Sequence, residues 1–560
     1  MQDQKRDNLL NLALSATDEE RERSENLDVG YDPEERTWEL IVRHSGSLAG
    51  LAGAGIQVDE LLNGYAVLVV PEHLVDQVSE LNQIEYIEKP KRLFFASNMA
   101  RAASCLSVVQ SPSGTGNVTG GVISGLSGGP TGRGVLVAVI DSGIDYYHPD
   151  FRNPDGTTRI GLLADQDRDR IYTREEINAA LETGSRTSAL ALVPSTDPSG
   201  HGTAVAAIAA GNGREGNGVY RGVAYESELM VVKLGTPLTD SFPRTTQLMK
   251  ALDLVVRRAL DMNRPLAVNL SFGNTYGSHD GTSLLETFIN DMSGIGRNVI
   301  VAGTGNEGTG AGHRAGSLVM GQEENAQLSI APYETGMGVQ LWKSYVDQFS
   351  IRLVTPSGEI IGPIDSRLGP QELRYGGTQI LIYYGKPSPF SRAQEVYFDF
   401  LPVRDYLDSG IWTFRLTPER IVTGRYDMWL PSRGILNPST RFLRPVPETT
   451  LTIPSTASNV ISVGAYDDSY RAYADFSGRG FTRQTGQVKP DLAAPGVDIV
   501  TARRGGGYEA VTGTSFAAPF VTGSAALLMQ WGILQRSRPG GGGASVCPPC
   551  RRRDGGPARR

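Results

Sequence analysis

The chain has 560 residues, 61 acidic against 53 basic side chains, and a formal net charge of −8 at neutral pH. With 39% hydrophobic and 20% charged residues and a mean hydropathy of −0.22, it has apolar mass for packed cores, which excludes both a disordered chain and a mini-scaffold. The acidic balance leaves no basic footprint for nucleic acid or an anionic membrane, no apolar run of about 18 residues spans a bilayer, and MQDQKRDNLL leads into no apolar signal segment.

Residues 1–36 are polar, and Thr17-Asp-Glu-Glu20 reads as a capping box opening a short helix. TWELIVRHSG (37–46) alternates like a strand and SLAGLAGAGI is compatible with a helix. GYAVLVVP (64–71) then reads as a strand, EHLVDQVSELNQ as an amphipathic helix and IEYIEKP as a further strand. Residues 1–96 therefore predict an N-terminal helix and a small α+β domain of the split βαβ kind. Residues 97–133, rich in Ser, Gly and Thr without periodicity, read as a linker or loop.

From residue 134 the texture changes. Apolar strands GVLVAVID (134–141), LMVVKLG (229–235), LAVNLSFG (266–273), NVIVAGTG (298–305) and ISVGAYD (461–467) alternate with helical segments HGTAVAAIAAG, TTQLMKALDLVVRRALD, SLLETFINDMSGI and SFAAPFVTGSAALLMQWG. Continuous Val/Ile-rich strands separated by helices predict an α/β domain, a parallel sheet covered on both faces, in two parts at 134–313 and 451–532. Between them, 314–450 alternates with turn signals and holds three of the five tryptophans, Trp342, Trp412 and Trp429, which predicts an inserted all-β sandwich. The last segment, 533–560, carries seven Arg and one acidic residue, so it is expected to be disordered at +6 while the rest of the chain stands at −14.

Three segments at expected strand or helix ends carry chemistry: Asp141-Ser-Gly-Ile-Asp145, His201-Gly-Thr203 and Gly513-Thr-Ser515-Phe-Ala-Ala-Pro519. In an open parallel sheet, reactive groups collect where strands end and helices begin. A serine hydroxyl needs an imidazole to take its proton, and the imidazole needs a carboxylate to fix its tautomer and stabilise its charge. Asp141, His201 and Ser515 supply that set. The order Asp, His, Ser is the subtilisin order among unrelated triads, and no Gly-x-Ser-x-Gly elbow is present.

On these residues the chain resembles the subtilase family of serine endopeptidases over residues 134 to about 531. The resemblance implies a subtilisin-like fold, hydrolysis of an extended polypeptide, and no cofactor or metal. It also implies an oxyanion donor at Asn306 in VAGTGNEG and a substrate-binding edge at Ser271, Phe272 and Gly273 in NLSFG, with Gly303, Thr304 and Gly305 binding substrate as well. The small domain at 37–96 resembles a subtilase propeptide, which implies a partner in cis and self-cleavage between about residues 90 and 105. The absent signal segment and the inserted, jelly-roll-like sandwich resemble the clostridial spore-germination subtilases. That narrower likeness implies limited cleavage of a spore cortex-lytic proenzyme by a cytoplasmic or spore-associated protein. The alternative is a non-catalytic, germinant-sensing or partner-binding pseudoprotease whose sandwich does the work.

Other signals carry less. Asp165 to Glu176 imitates a calcium loop, yet Arg170 stands where the sharp turn needs glycine, and Thr173-Arg-Glu-Glu176 reads better as a capping box. Cys105, Cys547 and Cys550 make no disulfide framework, and Cys547-Pro-Pro-Cys550 lacks a second ligand pair. His44, His73, His148, His279 and His313 show no partners like those of His201, and His148 reads as structural. The switch near Ile533 to Arg, Gly, Pro and Cys reads as translation in a shifted frame, leaving apolar sheet surface uncovered.

Overall fold

The computed structural model describes residues 4–95, 129–235 and 243–535. Helix α1 (Asn8–Ser15) precedes α2 (Asp18–Arg23), where Thr17 and Glu20 form the expected capping box. Strands β1 (Thr37–His44), β2 (Gln57–Leu61) and β3 (Tyr65–Pro71), helix α3 (Val75–Glu80) and strand β4 (Ile84–Glu88) build an antiparallel sheet in the order β4-β1-β3-β2. The helix expected over SLAGLAGAGI is reduced to one tight turn at Ala52–Ala54, because three glycines interrupt it and Gly55 turns into the left-handed region at φ 78°. The sequence reading also lacked β2, a short polar edge strand with too few apolar positions to signal itself.

The larger sheet is parallel through β6 (Leu136–Asp141), β7 (Ile160–Asp165), β8 (Glu228–Lys233), β9 (Leu266–Leu270), β11 (Asn298–Gly303) and β12 (Ile461–Asp467). Their spatial order is β12-β11-β9-β6-β8-β7. Two short strands complete the numbering, β5 (Phe94–Phe95) and β10 (Phe272–Gly273). Strand β7 is not among the strands that the apolar pattern predicts. Thr173 and Glu176 do cap the helix Arg174–Glu182, and no cluster of potential metal ligands occurs among the described residues.

Alternate residues of β6 serve opposite faces. Leu136, Ala138 and Ile140 pack with α5 (Thr245–Asp261) and α6 (Leu284–Ser293), whereas Val137 and Val139 pack with α4 (His201–Ala210) and α7 (Thr514–Met529). Burial on both faces is why these strands read as unbroken apolar runs. Extended to Gln535, α7 is long and apolar enough to cross a membrane by length and composition, yet it packs on α4, β9, β11 and β12 as a core helix. Ile533–Gln535, expected in the tail, continue that helix, and Leu534 packs against the core. Cys105 and the rest of the tail, with Cys547 and Cys550, lie outside the described residues.

Residues His313–Phe442 form two antiparallel sheets around a shared core that includes Trp412, Phe398 and Phe414. The N-terminal unit lies between this sandwich and the larger domain. One face of its sheet sends Ile41, Tyr65 and Val67 into the core with α5 and α6, and the other meets Leu381, Tyr383, Tyr397 and Leu401 of the sandwich. Phe288 of α6 is fully buried and edge-on to Tyr65 at 5.1 Å. Phe288→Ala should lower the stability measured by chemical denaturation by about 3–5 kcal/mol, and an unchanged midpoint would contradict this packing.

Candidate active site

Asp141 ends β6 and His201 opens α4, and the two meet with Asp141 Oδ1 2.7 Å from His201 Nδ1. Such close approach of a helix start to a strand end requires glycine at position 202, where an added Cβ would lie 2.2 Å from the Gly143 carbonyl oxygen and 3.2 Å from Asp141 Cβ. The carboxylate is fully buried and also accepts from the Ser142 backbone N–H at 2.8 Å. Burial alone would push the His201 imidazole down, but the Asp141 charge, its hydrogen bond and the nearby Asp197 charge together leave it raised above its usual value.

Asp197 escaped the sequence reading because a lone Asp-Pro-Ser in a loop carries no spacing signal. Buried at 1% exposure, it accepts from the Ser142 hydroxyl (2.7 Å), the Ser199 hydroxyl (3.2 Å) and the Gly200 N–H (3.0 Å) through Oδ1. Its Oδ2 accepts from the Thr203 N–H (2.8 Å) and hydroxyl (2.7 Å). It thereby satisfies the orphan donors at the α4 N-terminus and ties them to the Asp141 loop, where a negative charge is favoured.

Ser515 is the second residue of α7, and its hydroxyl donates to the Ser271 carbonyl at 2.8 Å. The ring of the adjacent Phe516 lies 5.3 Å from that of His201. Pro519, inside α7, has no N–H to give the carbonyl four residues earlier, so the Ser515 carbonyl lacks its helical partner. The Ser271 hydroxyl fills that place at 2.9 Å, and is itself held by Asn269 Nδ2 at 2.7 Å, whose Oδ1 accepts from Thr522 at 3.0 Å. A buried polar chain thus locks β9 to the start of α7.

Asn306 follows β11. Its Oδ1 accepts from the Thr514 N–H (3.1 Å) and hydroxyl (3.2 Å), which leaves Nδ2 as the donor end of the amide. Gly303, Thr304 and Gly305 run beside it, with the Gly305 N–H donating to the Thr514 hydroxyl at 3.0 Å. Next to Ser271, Phe272 and Gly273 form β10, already paired: Gly273 stands opposite Phe94 and Phe272 opposite Phe95, antiparallel. Asn274 Nδ2 donates to the Arg92 carbonyl at 3.2 Å and extends the contact. The end of the N-terminal unit therefore lies along the edge on which an extended peptide would add as a strand.

Three further histidines do have partners, though away from this site. His148 Nε2 is 2.9 Å from Glu215, while His279 and His313 both stack on Trp429, at 4.2 and 4.7 Å. His313 also lies 3.3 Å from Asp427.

Residues 4–91 match the Csp protease B prodomain, and residues 132–357 and 444–535 match the subtilase family. The solved structure of the Clostridium perfringens CspB protease is 37% identical, with a TM-score of 0.69 over 73% of this chain and 84% of that one. The minor extracellular protease Vpr of Bacillus subtilis is 24% identical over 432 residues, and the serine protease AprX of the same organism 38% over 101. The chain spans 47% and 23% of those two relatives. With more than half of its length matched by the family model, the chain belongs to the subtilase family and carries an N-terminal Csp-type prodomain.

Proposed function

We propose that the protein is a serine endopeptidase in which Ser515 is the nucleophile, His201 the general base and then acid, and Asp141 the group that orients and stabilises the imidazolium. The observation that carries this reading is the buried 2.7 Å Asp141–His201 contact beside an edge strand that already holds a peptide segment. In the reaction, the Ser515 hydroxyl turns from the Ser271 carbonyl to the ring, gives its proton to Nε2 and attacks the scissile carbonyl. His201 then passes the proton to the leaving amine, and water repeats the sequence to release the acyl group. Asn306 Nδ2 and the Ser515 backbone N–H, which has no intrahelical acceptor so near the start of α7, receive the developing oxyanion.

The first substrate is the chain itself. Phe94 and Phe95 lie paired along β10, so self-cleavage is expected shortly after them, between about residues 90 and 105. Most of that interval lies outside the described residues. The resemblance to the clostridial spore-germination subtilases implies, as the later reaction, limited cleavage of a spore cortex-lytic proenzyme inside the cell or the spore. Mixing that purified proenzyme with the processed protein should shorten it at one bond, and an intact proenzyme would contradict the assignment.

Terminal analysis of the purified protein should find a new N-terminus within or just after the 90–105 interval in the wild type, while Ser515→Ala stays at full length. Equal lengths would refute autoprocessing. Asn306→Ala should slow cleavage by about 10²–10³ while leaving the fold intact, a magnitude carried over from the corresponding asparagine of subtilisin itself.

Because His201 acts as a base only when neutral, its raised pKa places the acid limb of kcat/KM above the ordinary 6.5. The rate falls as pH drops through that limb. Asp197→Asn removes one of the charges that hold the imidazolium, so the limb should move to lower pH in a pH–rate profile. A limb that stays in place would remove Asp197 from the account.

A further inference from the structure

Strand β10 is two residues long and forms a two-stranded sheet with β5 of the N-terminal unit. In the processed protein that pairing lasts only while the unit stays bound, and the edge then depends on how its own two ends are held. The near end is fixed, because Ser271 and Ser515 bond reciprocally. The far end runs into the turn Asn274–Gly277, where Asn274 and Ile453 exchange backbone hydrogen bonds at 2.9 and 3.0 Å. Thr275 and Gly277 belong to no strand, so their buried backbone groups need partners from elsewhere.

A side chain of the sandwich meets that need. Gln340 stands in the strand Met337–Ser344 and is 2% exposed. Its Oε1 accepts from the Gly277 N–H at 2.9 Å, and its Nε2 donates to the Thr275 carbonyl at 3.2 Å. One amide group thus serves a donor and an acceptor two residues apart, as a neighbouring strand would. Trp342 Nε1 also donates to Oε1, at 3.3 Å, so a flipped amide would turn its own N–H groups on two donors. The Thr275 hydroxyl donates to the Leu430 carbonyl of the same sandwich at 2.8 Å, and the Thr275 carbonyl lies 3.0 Å from His279 Nε2. Asn26 of the N-terminal unit donates to the Tyr276 hydroxyl at 3.0 Å, a contact that lasts only while that unit is bound.

We infer that Gln340 is a positioning residue for the peptidase proposed above: from the inserted sandwich it holds the far end of the substrate edge, so that an incoming peptide finds β10 already extended. The inference rests on that peptidase reading. Gln340 acts through the backbone of the residues that follow Gly273. A receiving edge that is already ordered spares the complex the entropy of ordering it, which would otherwise weaken binding. Because the edge grips substrate and transition state alike, loosening it raises KM and leaves kcat nearly unchanged.

The test uses the processed protein and a fluorescent peptide carrying the chain's own residues 90–105. Gln340→Leu, close in size and without polar atoms, should raise KM by roughly tenfold through the loss of two hydrogen bonds, with kcat within about twofold of wild type. Fluorophosphonate labelling of Ser515, which needs no edge strand, should keep the wild-type rate. Amide hydrogen exchange should quicken over residues 272–279 and stay unchanged over α6. Gln340→Met, unbranched and equally unable to make either bond, gives the same reading if the leucine variant does not fold. An unchanged KM, or a KM that rises only together with an equal loss of labelling rate, overturns the role of Gln340. A wild type that labels at Ser515 yet leaves this peptide uncut overturns the inference alone, and one that does neither overturns the peptidase reading as well.

Discussion

A carboxylate with no solvent exposure is costly unless donors reach it, and Asp141 Oδ1 is reached by both His201 Nδ1 and the Ser142 N–H. The strand supplies the acid at its carboxyl end, and the helix supplies the imidazole in its first turn. Their distance is then set by the packing of β6 on α4, with Gly202 allowing the backbones to meet. Asp197 secures the arrangement from behind by gathering five donors from both segments. The same two negative charges that order the loops also hold the imidazolium, so positioning and basicity arise from one set of contacts.

The second half of the site depends on a missing donor. Pro519 frees the Ser515 carbonyl, Ser271 takes it up, and the Ser515 hydroxyl bonds back to Ser271. This reciprocal pair fixes the start of α7 against the edge strand, so that nucleophile and peptide-binding edge cannot shift independently. The N-terminal unit completes the assembly. Its sheet is clasped between α5 and α6 on one side and the sandwich on the other, which positions Phe94 and Phe95 along β10.

The sequence made legible what depends on local pattern. The parallel sheet showed as unbroken apolar strands between helical segments, Asp141, His201 and Ser515 stood out because their segments fall at strand and helix ends, and Asn306 followed from the resemblance to the subtilases. Strand β7 fell outside the apolar pattern, and β2 was hidden by its shortness and polarity. Asp197 and Ser271 as a partner of Ser515 were hidden for a different reason. Ser271 is 244 residues from Ser515 along the chain, and only the folded sheet brings the two together. Such roles belong to tertiary neighbours, and no periodicity or spacing in one sequence encodes them.

The claim that Asp141, His201 and Ser515 act as one unit is tested most directly by reaction with a fluorophosphonate, with the modified residue located by peptide mass. The account predicts a single adduct on Ser515 in the processed protein and its loss in both His201→Ala and Asp141→Ala. An adduct that forms on Ser515 at the same rate without the imidazole, or that never forms on the intact triad, would contradict it.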